Sequence, residues 1–453
     1  MSTAGLPLLI AFLAAVALIW LMILYQVIMT AAGFVHRLRS ARLTAKLLAE
    51  GGELPPLSIL IPARNEELVI ERTLDAMRAL RYPGGPLGIL VVDDGSTDGT
   101  AALVERVARE DARVELLRLP RQEQGRGKSH ALNAALRRVS SELIAVYDAD
   151  NCPEPESLEI LVRRLRSRAE LGAVLGKFRT LNRDRNLLTR FIDLETLAFQ
   201  WIVQAGRCLL FHVGILPGTN FVIRRDVLLA CGGWDEKAIT EDTELSLRLY
   251  AQGSAIDFAP EAVSWEEEPE SFRVWLRQRT RWVRGNLYIL RKHLLSSWRL
   301  ENRFLALQVL YLSVLYYLFL ASVLVSHTLF LACSTGLLRI DIPGPYHLVW
   351  LCAALLFVAE LTLVTSYEGE HGARQAALAI AMYLTYCQAW LLVVSRALWH
   401  EYVLREGHAW DKTARSGASM LAEPPNPRRA HGTERPPGPD RSAAPQPGKI
   451  ADA

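Results

Sequence analysis

From Met1 to His36 the chain contains no Asp, Glu, Lys or Arg. A helix of about 20 apolar residues crosses a bilayer core, so this stretch is long enough to do so. In lipid every backbone polar group must be satisfied internally, which restricts such a segment to a helix. It lacks a basic leader and a cleavage site, and it is too long for a signal-peptide core. Basic residues follow at once, in His36-Arg37-Leu38-Arg39. The positive-inside bias then places its C-terminal end in the cytoplasm and the N-terminus outside. Residues 1–36 are read as an uncleaved transmembrane anchor.

Three more apolar runs, Phe304–Leu338, Tyr346–Tyr367 and Ala376–Ser395, make residues 304–400 a membrane region of about three helices. One crossing before the polar part of the chain and three after it leave the C-terminus outside. The basic residues Arg396, Arg405, Lys412 and Arg415 favour the inside. Either one run is re-entrant or interfacial, or the charge bias loses. Residues 416–453, rich in Pro, Gly, Ala and charge without an apolar period, are expected to be disordered.

Between the apolar segments the chain reads as soluble. Short apolar runs at Leu57–Ile61, Gly88–Val92, Val114–Leu117 and Leu143–Val146 alternate with helical patterns. This predicts an α/β domain over residues 55–270 with a mostly parallel sheet. Ligands of such sheets sit beyond the carboxyl ends of the strands. Residues 271–300 are basic and aromatic with one apolar face, as in amphipathic helices at a membrane surface. The net charge of +3 argues against a nucleic-acid binder. None of the six cysteines forms a C-x-x-C pair, so they are read as reduced packing residues.

Acidic residues gather at the predicted strand ends. The first strand runs into Arg64-Asn65-Glu66-Glu67 and the second into Asp93-Asp94-Gly95-Ser96. Carboxylates there suit hydroxyls and ring N–H groups of a nucleoside; a capped polar turn is the plain alternative. The fourth strand ends in Asp148-Ala149-Asp150, two carboxylates able to share a hard cation, Mg²⁺ or Mn²⁺, beside substrate phosphates. Gly125-Arg126-Gly127-Lys128-Ser129 lacks the first glycine of a P-loop, with Gln122 in its place. Lys128 still suits a diphosphate at a helix start. Thr240-Glu241-Asp242 opens a helical pattern, as a cap or as a general base. Glu360 lies within an apolar run and is a functional candidate on that ground.

Taken in order, Pro62-Ala63-Arg64-Asn65-Glu66, Asp93-Asp94-Gly95-Ser96, Asp148-Ala149-Asp150, Thr240-Glu241-Asp242 and Gln278-Arg279-Thr280-Arg281-Trp282 resemble the membrane-bound family 2 glycosyltransferases. These include synthases of cellulose, hyaluronan, chitin and poly-N-acetylglucosamine. The resemblance implies a GT-A, Rossmann-like cytoplasmic domain with flanking transmembrane helices in the inner membrane, and inversion at the anomeric carbon. By motif position, Glu66 and Asp94 would contact uridine, and Lys128 would neighbour the diphosphate. Asp148 would support the nucleotide and, with Asp150, the metal. Asp242 would be the base, and Gln278 and Arg281 would steady the pyrophosphate. Trp282 and the loop containing Gly218 and Thr219 would meet the acceptor.

The resemblance implies a growing β-linked polysaccharide as product. One sugar added to a lipid or lipid-linked acceptor is the alternative, and a catalytically dead nucleotide-sugar sensor is a third reading, opposed by the intact acidic set. Four apolar runs are few for a glycan channel, so a homo-oligomer or an export partner would complete it. The finger loop Pro217-Gly218-Thr219-Asn220 departs from the best-known cellulose and hyaluronan synthase forms, which leaves the sugar open. His408 to Arg415 resembles a tail motif of some members and is assigned no role.

Overall fold

The computed structural model describes residues 2–3, 5–297, 310–311, 313–339 and 346–405. The tail at 416–453 and the motif at 408–415 lie outside the described residues. Eight strands form one mixed sheet: β1 (Leu57–Ala63), β2 (Leu87–Asp93), β3 (Val114–Arg118), β4 (Leu143–Val146), β5 (Cys152–Pro153), β6 (Leu171–Thr180), β7 (Phe221–Arg224) and β8 (Ala255–Glu266). Their order is β3-β2-β1-β4-β7-β6-β8-β5. The first four are parallel, as the alternation of apolar runs and helical patterns requires. Ala63 pairs with Asp93, and Asp93 with Arg118, so the carboxyl ends of these strands share one edge.

Successive side chains point to opposite faces. Leu57, Ile59 and Ile61 enter one core, whereas Leu60, Leu90 and Val92 enter the other. Both faces are covered, which is why these strands read as nearly continuous apolar runs. The sequence pattern did not mark β5 to β8. β7 runs antiparallel to both its neighbours, β4 and β6. The β6–β8 pairing has two register shifts, and Gly176 sits where a Cβ would lie 2.2 Å from the Ala262 carbonyl oxygen. Irregular, glycine-bearing strands of this kind carry little period-2 signal.

The anchor reading needs a correction in length. Helix α1 spans Leu6–Glu50, 45 residues, and ends only at Gly51 and Gly52, both at positive φ. Charge marks where lipid should end, whereas the helix continues because residues 37–50 contain no breaker. Its second half is a strut on the soluble domain. Gly33 packs against the Trp201 carbonyl and Gly206 against that of Met29, contacts that leave no room for a Cβ. Ser40 and Thr44 both donate to Glu261, at 2.7 and 3.0 Å.

Further helices position the site: α2 (Lys128–Arg138), α3 (Leu187–Ala198), α4 (Glu241–Ala251), α5 (Phe272–Ser297), α6 (Leu320–Ser334), α7 (Tyr346–Tyr367), α8 (Ala373–Leu384) and α9 (Tyr386–Leu398). The segment expected to be amphipathic helices at a surface is one helix, α5, and its largest fully buried side chains are Trp275 and Arg279. It is buried because α9 packs along it. Phe191 and Ile192 of α3, Trp275 and Leu287 of α5, Leu361 of α7 and Val393 of α9 belong to one core. The soluble domain and the apolar helices are therefore packed together.

Candidate active site

The ends of β1 and β2 are laced together before they reach any ligand. The Ser96 hydroxyl accepts from the Asn65 amide at 2.9 Å, Asn65 Oδ1 from the Thr97 amide at 2.7 Å, and Thr100 Oγ1 from the Glu66 amide at 2.7 Å. Asn65 stands at φ 55, a conformation that Asn tolerates. Glu66 is held at the mouth of this turn, half-buried.

Asp94 has a task that the sequence did not announce. Its Oδ1 accepts the Gly125 N–H at 2.7 Å and its Oδ2 the Gly127 N–H at 3.1 Å. The carboxylate thus shapes the Gly125–Gly127 turn, where both glycines lie at positive φ. Burial raises its pKa above the usual range, against the pull of these two amides. A nucleoside would meet only its remaining lone pairs. The turn delivers Lys128 as the first residue of α2.

Lys128 is the centre of the site. Its Nζ lies 2.6 Å from Asp148 Oδ1, 2.8 Å from the Gly218 carbonyl and 3.5 Å from Glu241 Oε1. Burial would lower its pKa, but Asp148 and Glu241 more than compensate and raise it, so it stays charged. Gly218, at φ 85, is flush with the cluster: a Cβ there would stand 2.9 Å from Asp242 Oδ2 and 3.3 Å from Lys128 Nζ. The sequence singled out Lys128, Asp148, Gly218 and Asp242 from four separate segments, and the fold gathers all four: Asp148 and Gly218 contact the ammonium, and Asp242 lies beside Gly218.

Asp242 is the second residue of α4. Its Oδ1 accepts the Thr243 N–H at 2.7 Å, so the side chain caps its own helix. Its pKa is pushed up to about 7, first by burial, then by Glu241 and Asp148, while Lys128 opposes the rise. Glu241 is the member of this group that sequence reasoning left without a role. Its place beside Asp242 in the motif was the available signal.

Thr219 departs from its expected role toward an acceptor. Its hydroxyl accepts the Asp148 N–H at 3.1 Å and donates to Asn151 Oδ1, and the residue is buried. Its side chain thus holds the Asp148 turn, while the neighbouring Gly218 carbonyl accepts from Lys128. Asn151, fully buried, also takes the Asp148 N–H at 2.9 Å. Asp150 is buried beside it. Among the described residues no three His, Cys, Asp or Glu side chains gather as a metal cage. Asp148 and Asp150 supply oxygen donors of the kind Mg²⁺ and Mn²⁺ prefer, ions that bind through one or two carboxylates together with substrate phosphates and water.

Helix α5 joins this cluster at Thr240, since a Cβ on Gly285 would lie 2.5 Å from the Thr240 side chain. Gln278 is buried, Arg281 half-buried, and Trp282 38% exposed. Arg279, between them, is the residue that sequence reasoning missed. Its guanidinium lies 4.0 Å from the Trp282 ring centroid and donates to Gln278 Oε1 at 2.8 Å. It also reaches Glu195 Oε2 of α3, with Nη2 at 2.8 Å and Nε at 3.2 Å. Tyr386 and Trp390 of α9 donate to the same Glu195 carboxylate at 2.8 and 2.7 Å. Glu360 meets the Thr30 hydroxyl of α1 at 3.1 Å, away from this cluster.

Comparison with known proteins supplies the family. Residues 55–285 match the model described as glycosyltransferase like family 2. A probable glycosyltransferase of Bacillus subtilis, YdaM, is 39% identical over 408 residues, covering 89% of this chain and 97% of that protein. A beta-monoglucosyldiacylglycerol synthase of Nostoc is 36% identical over 52% of this chain and 49% of its own length. A poly-beta-1,6-N-acetyl-D-glucosamine synthase of Staphylococcus aureus is 27% identical over 55% of this chain and 59% of its own. In fold, the chain is similar to a mannosyltransferase of Pyrobaculum calidifontis solved with GDP-Man and Mn²⁺, at TM-score 0.53 and 22% identity. That match covers 84% of this chain and 99% of that one. The sheet is thus that of a mixed α/β, GT-A-like domain. This chain belongs to glycosyltransferase family 2 and is a glycosyltransferase.

Proposed function

We propose that the chain moves a sugar from a nucleotide-diphosphate donor, with UDP as nucleotide, onto the end of a growing β-linked polysaccharide at the cytoplasmic face of the cell membrane. The observation that carries this reading is the convergence of Lys128, Asp148, Gly218 and Asp242. It brings a diphosphate cation, a metal-ligating carboxylate and a candidate base within one cluster. Membrane placement is supported by the apolar first half of α1 and by the apolar helices beyond residue 310.

In this reading Glu66 and Asp94 border the nucleoside, and Lys128, Gln278 and Arg281 face the diphosphate. A divalent cation held by Asp148 and Asp150 supplies neutralisation of the leaving group's charge. Asp242 takes the proton of the acceptor hydroxyl. The hydroxyl oxygen then bonds to the anomeric carbon as the carbon–phosphate oxygen bond breaks, with inversion, and the nucleoside diphosphate leaves. A base whose pKa lies near neutrality suits this role. Trp282 offers its exposed face to the acceptor sugar, while Arg279 occupies the other.

One-sugar transfer to a lipid or lipid-linked acceptor is a second reading. It is favoured by the small number of described apolar helices, too few to wall a glycan path within one copy, and by the Nostoc relative's name. Polymer synthesis accordingly calls for a second copy or an export partner. Purified protein with Mg²⁺ and a panel of labelled nucleotide sugars, followed by mass analysis, separates the two. A ladder of polymer supports the first reading and a single-sugar glycolipid the second. No incorporation from any donor would sink both.

A further inference from the structure

Helix α8 continues through a break at Thr385 into α9 and the turn to Val403, giving 31 residues that are long and apolar enough to cross a membrane. Such a helix is about 46 Å long. Its contacts contradict a crossing, because its beginning, middle and end are all bonded to the catalytic side.

At the start, Gln375 donates to Glu370 at 2.8 Å, and Glu370 is ion-paired with Arg183 and lies 3.7 Å from Arg190. Just before it, Glu368 is paired with Lys177 at 2.6 Å, with Arg179, and with the Trp201 indole at 2.8 Å. In the middle, Tyr386 and Trp390 hold Glu195 of α3, and Trp275 of α5 donates to Tyr386 at 2.8 Å. At the end, Glu401 meets Arg284 at 3.4 Å and Arg291 at 3.1 Å, both on α5. α5 itself is tied to the domain through Lys292, 2.7 Å from both Asp235 and Glu244.

The helix has two faces that match this placement. Ala379, Met382, Tyr386, Val393, Ala397 and Glu401 are buried at three-, four- and seven-residue spacing. On the opposite side Ile380, Leu384, Leu392, Trp399 and Val403 are exposed, Leu384 at 65% and Leu392 at 50%. The exposed residues Arg374, Arg396 and Arg405 flank that stripe. An apolar stripe with basic flanks, on a helix pinned lengthwise to a domain, fits a lipid surface with anionic headgroups.

We propose that residues 373–403 lie along the lipid surface beneath the catalytic domain and do not cross the bilayer. The proposal rests on the reading of α1 as a membrane anchor with the domain in the cytoplasm. It also resolves the conflict between crossing count and charge. The short strand Ser2–Thr3 pairs with Leu338–Arg339, so the residues that follow α6 lie at the N-terminal, outer end of α1. α1, α6 and α7 then make three crossings, and the C-terminus with Arg396 and Arg405 is cytoplasmic, as their charge favours.

The test uses the full chain in the bacterial membrane. A C-terminal green fluorescent protein should fluoresce, and a C-terminal alkaline phosphatase should be inactive. In phosphatidylglycerol–phosphatidylethanolamine vesicles, nitroxides at Leu384→Cys and Leu392→Cys should both collide with lipid-soluble oxygen at a similar shallow depth, about 5–10 Å. Active phosphatase would overturn the proposal. So would a depth difference near the ~12 Å that eight residues of a crossing helix impose, or no oxygen collision, which would show protein covering the face. Sugar transfer by the same protein is read separately: transfer lost with the C-terminus inside counts against the enzymatic reading alone.

Discussion

Replacing Arg279 by lysine separates two things that this arginine does at once. It neutralises half-buried Glu195, and its flat guanidinium supports Trp282 and Gln278 from behind. Burial would lower its pKa, but Glu195, Tyr386 and Glu268 raise it, so the charge is permanent. Lysine keeps a cation for Glu195 yet cannot fork to Gln278 and lie flat on the indole together. A stacked cation is worth about 0.5–2 kcal/mol, and the charged hydrogen bond to Gln278 about 1.5–3 kcal/mol. Part of both is retained by the ammonium; the Trp282 support bears on the acceptor and the Gln278 bond on the diphosphate, so acceptor and donor KM should each rise, by about 1 kcal/mol or about 5-fold. Alanine is less informative, since it removes the cation from half-buried Glu195 as well as the support of Trp282 and Gln278, leaving that carboxylate only the Tyr386 and Trp390 donors. The assay is initial rate with donor and acceptor varied separately, alongside Tyr386→Phe, which removes one of Glu195's donors and should shift the acceptor KM less, in the same direction. Acceptor and donor KM both within twofold of the parent would refute the positioning argument.

Asp242→Asn should cut transfer by about 10²–10⁴-fold with UDP affinity largely kept; lost UDP binding in calorimetry would show that the base is misassigned. For the parent, a carboxylate pushed up to about 7 predicts that kcat/KM falls as pH drops below that value. Raising Mg²⁺ should move this acidic limb to lower pH, because a cation favours the carboxylate; a flat profile from pH 5 to 8 would contradict the role. Gly218→Ala should abolish transfer while the domain stays folded, since φ 85 alone costs a side chain about 1–2 kcal/mol and the added Cβ would press on Asp242 and Lys128. Parent-like transfer by that variant would mean the loop moves freely away. Glu368, buried against Lys177 and Arg179, has its pKa lowered to about 2 by these partners despite burial. A depressed carboxylate contributes stability that is full above its unfolded pKa near 4.5 and lost as pH falls toward 2, here about 3 kcal/mol. Thermal inactivation of Glu368→Gln should therefore be faster than the parent's at pH 7, with the gap narrowing as pH falls below 4.5 and closing only toward pH 2; a constant gap would exclude the linkage.

Much of this protein was legible as local pattern. The uncharged stretch to His36 marked an apolar helix long enough to cross a bilayer, because charge in lipid is costly whatever the fold. The apolar runs before Asp93 and Asp148 marked four parallel strands, and their ends put the acidic motifs on one edge. The motifs also named the cluster around Lys128. Local pattern failed where a residue's task depends on a distant partner. That Asp94 also shapes the Gly125–Gly127 turn is visible only once those two amides are seen on its oxygens.

Sequence alone thus determined the class of fold, the acidic strand ends and the presence of apolar helices, since each follows from periodicity and composition within a few turns. Only the tertiary structure decided what those helices do. Residues 373–403 have the length and apolarity of a crossing, and nothing local distinguishes them from one. Glu195, 191 residues before Tyr386, draws their middle onto the domain, and Arg284, 117 residues before Glu401, draws their end. Arg279 gains its role by the same long-range pairing, 84 residues from Glu195. Hydropathy measures a segment's transfer to lipid, whereas orientation depends on contacts that exist only after the chain has closed on itself.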